Sequence, residues 1–150
     1  MQRSIFDQRP LSILSYTVLF IVYESLSSIY PLLPPLFAFL FVMFVKTLKN
    51  RDSMGTVLIS FYLMIFEANQ GYILFSTIIY FTLLYKLVVP KIETNFSCKS
   101  CILFLYVLLA YLGYYLFISL ISEIFLLPQP GISFYIVFYI LVEFLLVSLL

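Results

Sequence analysis

The chain contains no histidine and no tryptophan, only four glycines and two cysteines among 150 residues, and just 10% of its residues are charged. Each shortage excludes something. Without histidine there is no Ser-His-Asp triad and no imidazole metal ligand, and four scattered glycines make no phosphate-cradling loop. The carboxylates offer no D-x-x-D or E-x-x-H pair suited to a metal, so neither catalysis nor a bound cofactor is expected. Cys98 and Cys101 form a lone C-x-x-C. With no further thiol or imidazole to complete a zinc site, they read as two ordinary thiols at a helix start. Asn95-Phe96-Ser97 spells a glycosylation sequon that the topology argued below leaves on the cytoplasmic side, where it is inert.

What the chain has instead is apolar sequence: 64% hydrophobic, with a mean hydropathy of +1.14. Nearly every segment longer than a turn is apolar on all faces, so lipid is the expected solvent. Residues 1–150 therefore read as a single polytopic membrane domain, an all-α bundle of about six transmembrane helices. The expected spans are 11–29, 32–48, 54–68, 71–89, 102–127 and 132–150. Nothing points to nucleic acid.

The first stretch follows a short polar head carrying Arg3, Asp7 and Arg9. Ser25-Leu26-Ser27 loosely resembles a signal-cleavage site, but Glu24 and the long apolar remainder favour a retained span. Tyr30 to Pro35 is a proline-rich break. Asp52 and Ser53 offer N-caps to the third helix. That third stretch is short enough to be re-entrant, and charge decides the matter. The eight cations, Arg3, Arg9, Lys46, Lys49, Arg51, Lys86, Lys91 and Lys99, all fall on one side if it crosses. Six crossings put both termini in the cytoplasm and leave the outer connections, around Pro34, Asn69 and Gln129, without a cation. Gly113, Ser119 and Ser122 give the fifth span small surfaces for helix approach. With no tryptophan, tyrosine must supply any interfacial belt, and the many Tyr and Phe residues read chiefly as lipid-facing or packing groups.

Four carboxylates lie in or at the ends of these spans: Glu24, Glu67, Glu123 and Glu143. An ionised acid in hydrocarbon is costly, so each must be neutral, paired or wet. Glu24, Glu67 and Glu123 fall toward the outer leaflet, where the chain offers no cation and where Asn69, Gln70 and Gln129 are the polar neighbours. They read either as interfacial acids or as an outward recess that docks a cationic group from a partner's membrane segment. Glu143 lies near the middle of the last span at about the depth of Lys86, and the expectation is a Glu143–Lys86 pair or a protonated acid.

The order of features resembles the MreD family of bacterial rod-shape-determining membrane proteins. The likeness rests on the proline-marked loop Tyr30 to Pro35, a basic loop after the second span, and the stretch Ile65-Phe66-Glu67-Ala68-Asn69-Gln70-Gly71-Tyr72 closing the third. Glu67 stands where that family usually has Asp, and Gly71 where it has glycine. The resemblance implies a non-catalytic scaffold of the cell-elongation and peptidoglycan-synthesis machinery in the bacterial inner membrane. Its implied partners are an MreC-like protein, the actin-like MreB filament and a peptidoglycan transpeptidase. The family is similar in fold to the substrate-binding subunits of energy-coupling-factor transporters. That implies the rival role of a membrane-embedded subunit binding a vitamin or metal.

Overall fold

The structure is a computed structural model that describes residues 10–129, 131 and 133–149. Arg3, Asp7, Arg9, Pro130, Ile132 and Leu150 lie outside the described residues. The described chain is all helix and connection: α1 (Pro10–Ile29), α2 (Phe37–Lys49), α3 (Ser53–Gln70), α4 (Ser76–Leu87), α5 (Val89–Asn95), α6 (Lys99–Leu108), a π-helical turn (Leu109–Gly113), α7 (Tyr114–Phe125) and α8 (Tyr135–Leu149). The all-α expectation holds. From α6 through the π turn to α7 the helix is continuous over Lys99–Phe125, and among the described residues it is the one helix long and apolar enough to cross a membrane.

Two helices are shorter than their apolar sequence suggested. The second was expected from residue 32 and the fourth from residue 71, but they begin at Phe37 and Ser76. Pro34 and Pro35 explain the first delay, because proline cannot join an ongoing helix and restrains the residue before it. Gly71 explains the second. It closes α3 in the left-handed conformation at φ 72°, and its N–H donates back to the Glu67 carbonyl, an ending that glycine adopts without the Cβ penalty. At 1.5 Å per residue α2 and α4 are about 20 Å and 18 Å long, well short of the roughly 30 Å of a hydrocarbon core.

The shorter helix α2 is nonetheless the centre of the bundle. Phe37, Ala38, Leu40, Phe41, Val42, Phe44 and Val45 are all buried, the mark of a helix apolar on every face. The Phe37 ring sits 5.0 Å from Phe66, 5.0 Å from Phe81 and 4.8 Å from Tyr114 between centroids. These contacts join α2 to α3, α4 and α7 through one aromatic cluster, where offset and tilted pairs add to the area they bury. α1 packs on α3, with Phe20 stacked 4.7 Å from Tyr62 and the Thr17 and Tyr62 hydroxyls 3.1 Å apart.

The π turn has a visible cause. The Tyr80 hydroxyl, from α4, donates to the Leu109 carbonyl at 2.7 Å, and a Cβ at Gly113 would lie 2.0 Å from that hydroxyl oxygen. The turn frees a carbonyl for a neighbouring helix, and the glycine leaves room for the ring that reaches it. Gly113 therefore works as the small surface expected of it, and Ser122 is buried as well.

The connections gather at opposite ends. Pro31, Pro35, Gln70, Tyr72, Gly131 and Ile136 meet at one end, where the Tyr139 hydroxyl donates to the Pro31 carbonyl. At the other end Lys49 pairs with Glu93, and the Tyr106 hydroxyl donates to Glu93 at 3.0 Å. The hydrogen-bonded Lys49 ammonium holds the Glu93 carboxyl below its ordinary range, helped by the Tyr106 hydroxyl against slight desolvation.

Candidate functional site

The acids singled out in the sequence meet different fates. Glu24, Glu67 and Glu143 are fully buried, whereas Glu123 is exposed and reaches only Gln129, at 3.5 Å. Asn69 is exposed.

Glu67 is not a surface acid. Its Oε2 accepts the Phe75 N–H at 2.7 Å, and its Oε1 accepts the Thr77 N–H at 2.6 Å, the Thr77 hydroxyl at 2.7 Å and the Ser76 hydroxyl at 3.1 Å. Phe75 is the N-cap of α4 and Thr77 its second residue, and the opening amides of a helix have no partner within it. Gly71 turns the chain back over the end of α3, so a carboxylate eight residues before Phe75 caps the following helix. The expected role of Glu67 in docking a partner is thereby corrected: both of its oxygens are occupied inside the bundle.

Glu143 repeats this arrangement from α8. Oε1 accepts the Phe37 N–H at 3.1 Å and Oε2 the Phe39 N–H at 3.0 Å, closing the start of α2, and the Tyr111 hydroxyl also donates to it. Both helices are entered through a left-handed residue, Leu36 at φ 53° and Phe75 at φ 69°, and neither of these supplies a side-chain cap. The carboxylates stand in for the missing caps, and the helix macrodipole supplies the positive end that no lysine provides.

The expected Glu143–Lys86 pair is therefore replaced. Lys86 is exposed and stands in the last turn of α4, as Lys46 and Lys49 stand in the last turn of α2. Each short helix thus carries a buried carboxylate at its amino end and lysine at its carboxyl end, the arrangement its dipole favours. Among the described residues the Lys49–Glu93 pair is the one salt bridge.

Glu24 is different again. It is buried on α1, yet neither carboxylate oxygen has a hydrogen-bond partner among the described residues. Its neighbours in sequence hold α1 to the proline loop: the Tyr23 hydroxyl donates to the Pro34 carbonyl at 2.7 Å and the Ser27 hydroxyl to the Leu33 carbonyl at 3.0 Å.

At this same end of the bundle lies a cavity of about 300 Å³, lined by Tyr72, Tyr111, Tyr114, Tyr115 and Tyr139 with Phe37, Ser27 and Gln70 among the other contributors. Its volume is at the lower end of small-molecule pockets. The sequence did offer a signal for it. Tyr111, Tyr114 and Tyr115 recur at i, i+3 and i+4, which puts three rings on one helix face. With thirteen tyrosines in the chain, however, that spacing is not distinctive. Cys98 serves as the N-cap of α6, its Sγ accepting the Cys101 N–H at 3.4 Å, and both thiols are free and exposed. Asp52 caps α3 as expected, accepting the Gly55 N–H at 3.2 Å. Comparison with known proteins adds no relative: the sequence matches no protein-family model and no curated protein, and no solved structure matches the fold.

Proposed function

We propose that this chain is a six-span protein of the bacterial cytoplasmic membrane with both termini in the cytoplasm. In this reading it is a non-catalytic scaffold of the cell-elongation machinery, working beside an MreC-like protein and a peptidoglycan transpeptidase. The observation that carries the reading is the use of Glu67 and Glu143. Both buried carboxylates hold short helices in place, so the polar groups within the bundle fix its shape while its outer surface is left to apolar ridges. Leu112, Leu116, Leu120 and Ile124 are exposed at four-residue spacing along α7 and the turn before it, and Val137, Leu141 and Leu145 repeat the pattern on α8. Ridges of this kind suit lipid or a partner's transmembrane helix and would be an aggregation hazard in water.

A second reading has one observation in its favour. The tyrosine-lined cavity suits a membrane-embedded substrate-binding subunit of a small-molecule transporter. Depletion in a rod-shaped host separates the two. The scaffold reading expects cells to round up and the MreC-like protein to co-purify with the tagged chain from detergent extracts. Cells that keep their shape but lose uptake of a vitamin or metal would replace the scaffold with the transporter subunit.

A further inference from the structure

We propose that Cys98 and Cys101 form a reversible dithiol–disulfide pair, in which Cys98 attacks an incoming disulfide and Cys101 resolves the mixed disulfide that results. The connection after α5 ends at Cys98, the N-cap of α6, so Lys99, Ser100 and Cys101 are the first three helical residues. The Cys98 Sγ accepts the Cys101 N–H at 3.4 Å. The third residue of a helix is the one whose side chain turns back toward the N-cap, which brings the two thiols together over the opening turn. Residues at that separation have Cα atoms roughly 5–6 Å apart, within the range that a disulfide bridges.

The two sulfurs are not equivalent. The Cys101 thiol, together with the Cys101 and Ser100 amides, hydrogen-bonds the Cys98 sulfur and holds its thiol below the ordinary range. The positive end of the helix dipole favours negative charge at the same place, and the thiolate is the form that attacks a disulfide. Both thiols are free and exposed, so an oxidant reaches them without opening the bundle. Among the described residues no third cysteine or carboxylate joins them in a set that could hold a metal, which points to exchange chemistry rather than a zinc site.

The oxidant is a small soluble disulfide such as glutathione disulfide. The Cys98 thiolate attacks one of its sulfurs, forming a bond to one glutathione while the other leaves as thiolate and takes up a proton. Cys101, its proton given to water, then attacks the Cys98 Sγ, forming the Cys98–Cys101 bond and releasing the second glutathione. Two protein thiols are oxidised, and one glutathione disulfide is reduced to two thiols. Excess glutathione reverses both steps.

The test uses the full chain, purified reduced in mild detergent and equilibrated at neutral pH with glutathione and glutathione disulfide in varied ratio. After acid quenching and alkylation with a maleimide, intact mass spectrometry counts free thiols and bound glutathione. The expected result is loss of both thiols together as glutathione disulfide rises, with no glutathione retained on the parent. Cys101→Ser, which has no resolving thiol, keeps one glutathione at Cys98. Cys98→Ser, whose hydroxyl still caps α6, takes up glutathione at Cys101 about tenfold more slowly than Cys101→Ser does at Cys98. Two glutathiones on the parent, a disulfide between two chains, equal rates in the two variants, or no oxidation even in glutathione disulfide alone overturns the proposal. Cell shape does not enter this measurement, so its failure is separate from failure of the scaffold reading.

Discussion

Glu67→Ala is expected to destabilise the bundle by about 3–5 kcal/mol, because it strands the buried Thr77 amide and the part-buried Phe75 amide at the start of α4. The carboxylate accepts two backbone N–H groups and two hydroxyls, and each buried donor left without a partner costs about 1–3 kcal/mol. The hydroxyls can recover part of the loss. The Ser76 hydroxyl already lies 3.1 Å from the Tyr114 hydroxyl, and Thr77 can turn to a carbonyl of its own helix, as Thr82 does to Ile78 at 2.8 Å. The Phe75 and Thr77 amides have no such freedom. For a chain of this size the loss corresponds to a fall of roughly 6–20 °C in the unfolding midpoint, measurable by circular dichroism in mild detergent. Glu67→Gln is expected to fall between the two, since its amide keeps one acceptor oxygen and turns an NH2 toward groups that are themselves donors. A midpoint for Glu67→Ala within 2 °C of the parent would show that the carboxylate does not hold α4.

Glu143→Ala is expected to cost a similar amount, about 3 kcal/mol or more, while Lys86→Met is nearly neutral. Glu143 closes the start of α2, the helix against which α3, α4, α6 and α8 pack, and it also receives the Tyr111 hydroxyl. Hydrogen bonds to a charged group contribute about 1.5–3 kcal/mol each. Lys86 is exposed at the far end of α4, where a favourable dipole contact contributes about 0.3–1 kcal/mol. Because the two residues share no partner, the losses in the double variant should add to within about 0.5 kcal/mol. Recovery of stability in the double variant would restore the ion pair that the sequence suggested, and would contradict the capping role.

Helix positions were legible in the sequence because apolar runs, prolines and Gly71 mark them directly. Asp52 as the cap of α3 and Gly113 as a close-packing site were legible for the same reason, each being a local requirement on one residue type. The helix starts were less so. A run such as Leu32 to Leu48 looks uniformly helical by hydropathy, and only the proline pair hints that the helix waits until Phe37.

The candidate site was legible in its residues and not in its partners. The cost of burying Glu24, Glu67 and Glu143 follows from residue type, and it identified the acids correctly as groups needing a solution. A cation is the partner that residue types make visible, yet two of the three acids are answered by helix amino ends, which have no side-chain signature. A buried amide at Phe37 is invisible until the fold brings a glutamate more than a hundred residues away against it. The same limit applies to the cavity. Tyr72 reaches it from the connection between α3 and α4 and Tyr139 from α8, and no periodicity within one helix records their meeting.

The proposed scaffold role rests on a proposed six-span arrangement with cytoplasmic termini, and cysteine accessibility tests that arrangement most directly. In a variant with Cys98 and Cys101 replaced by serine, single cysteines are placed at Asn50, Asn95, Asn69 and Gln129, all exposed connection or helix-end positions. Intact cells are then treated with a membrane-impermeant maleimide. The account predicts that Asn69→Cys and Gln129→Cys label in intact cells while Asn50→Cys and Asn95→Cys label only after the membrane is opened. Labelling of Asn50→Cys or Asn95→Cys in intact cells, or of all four positions alike, would contradict it.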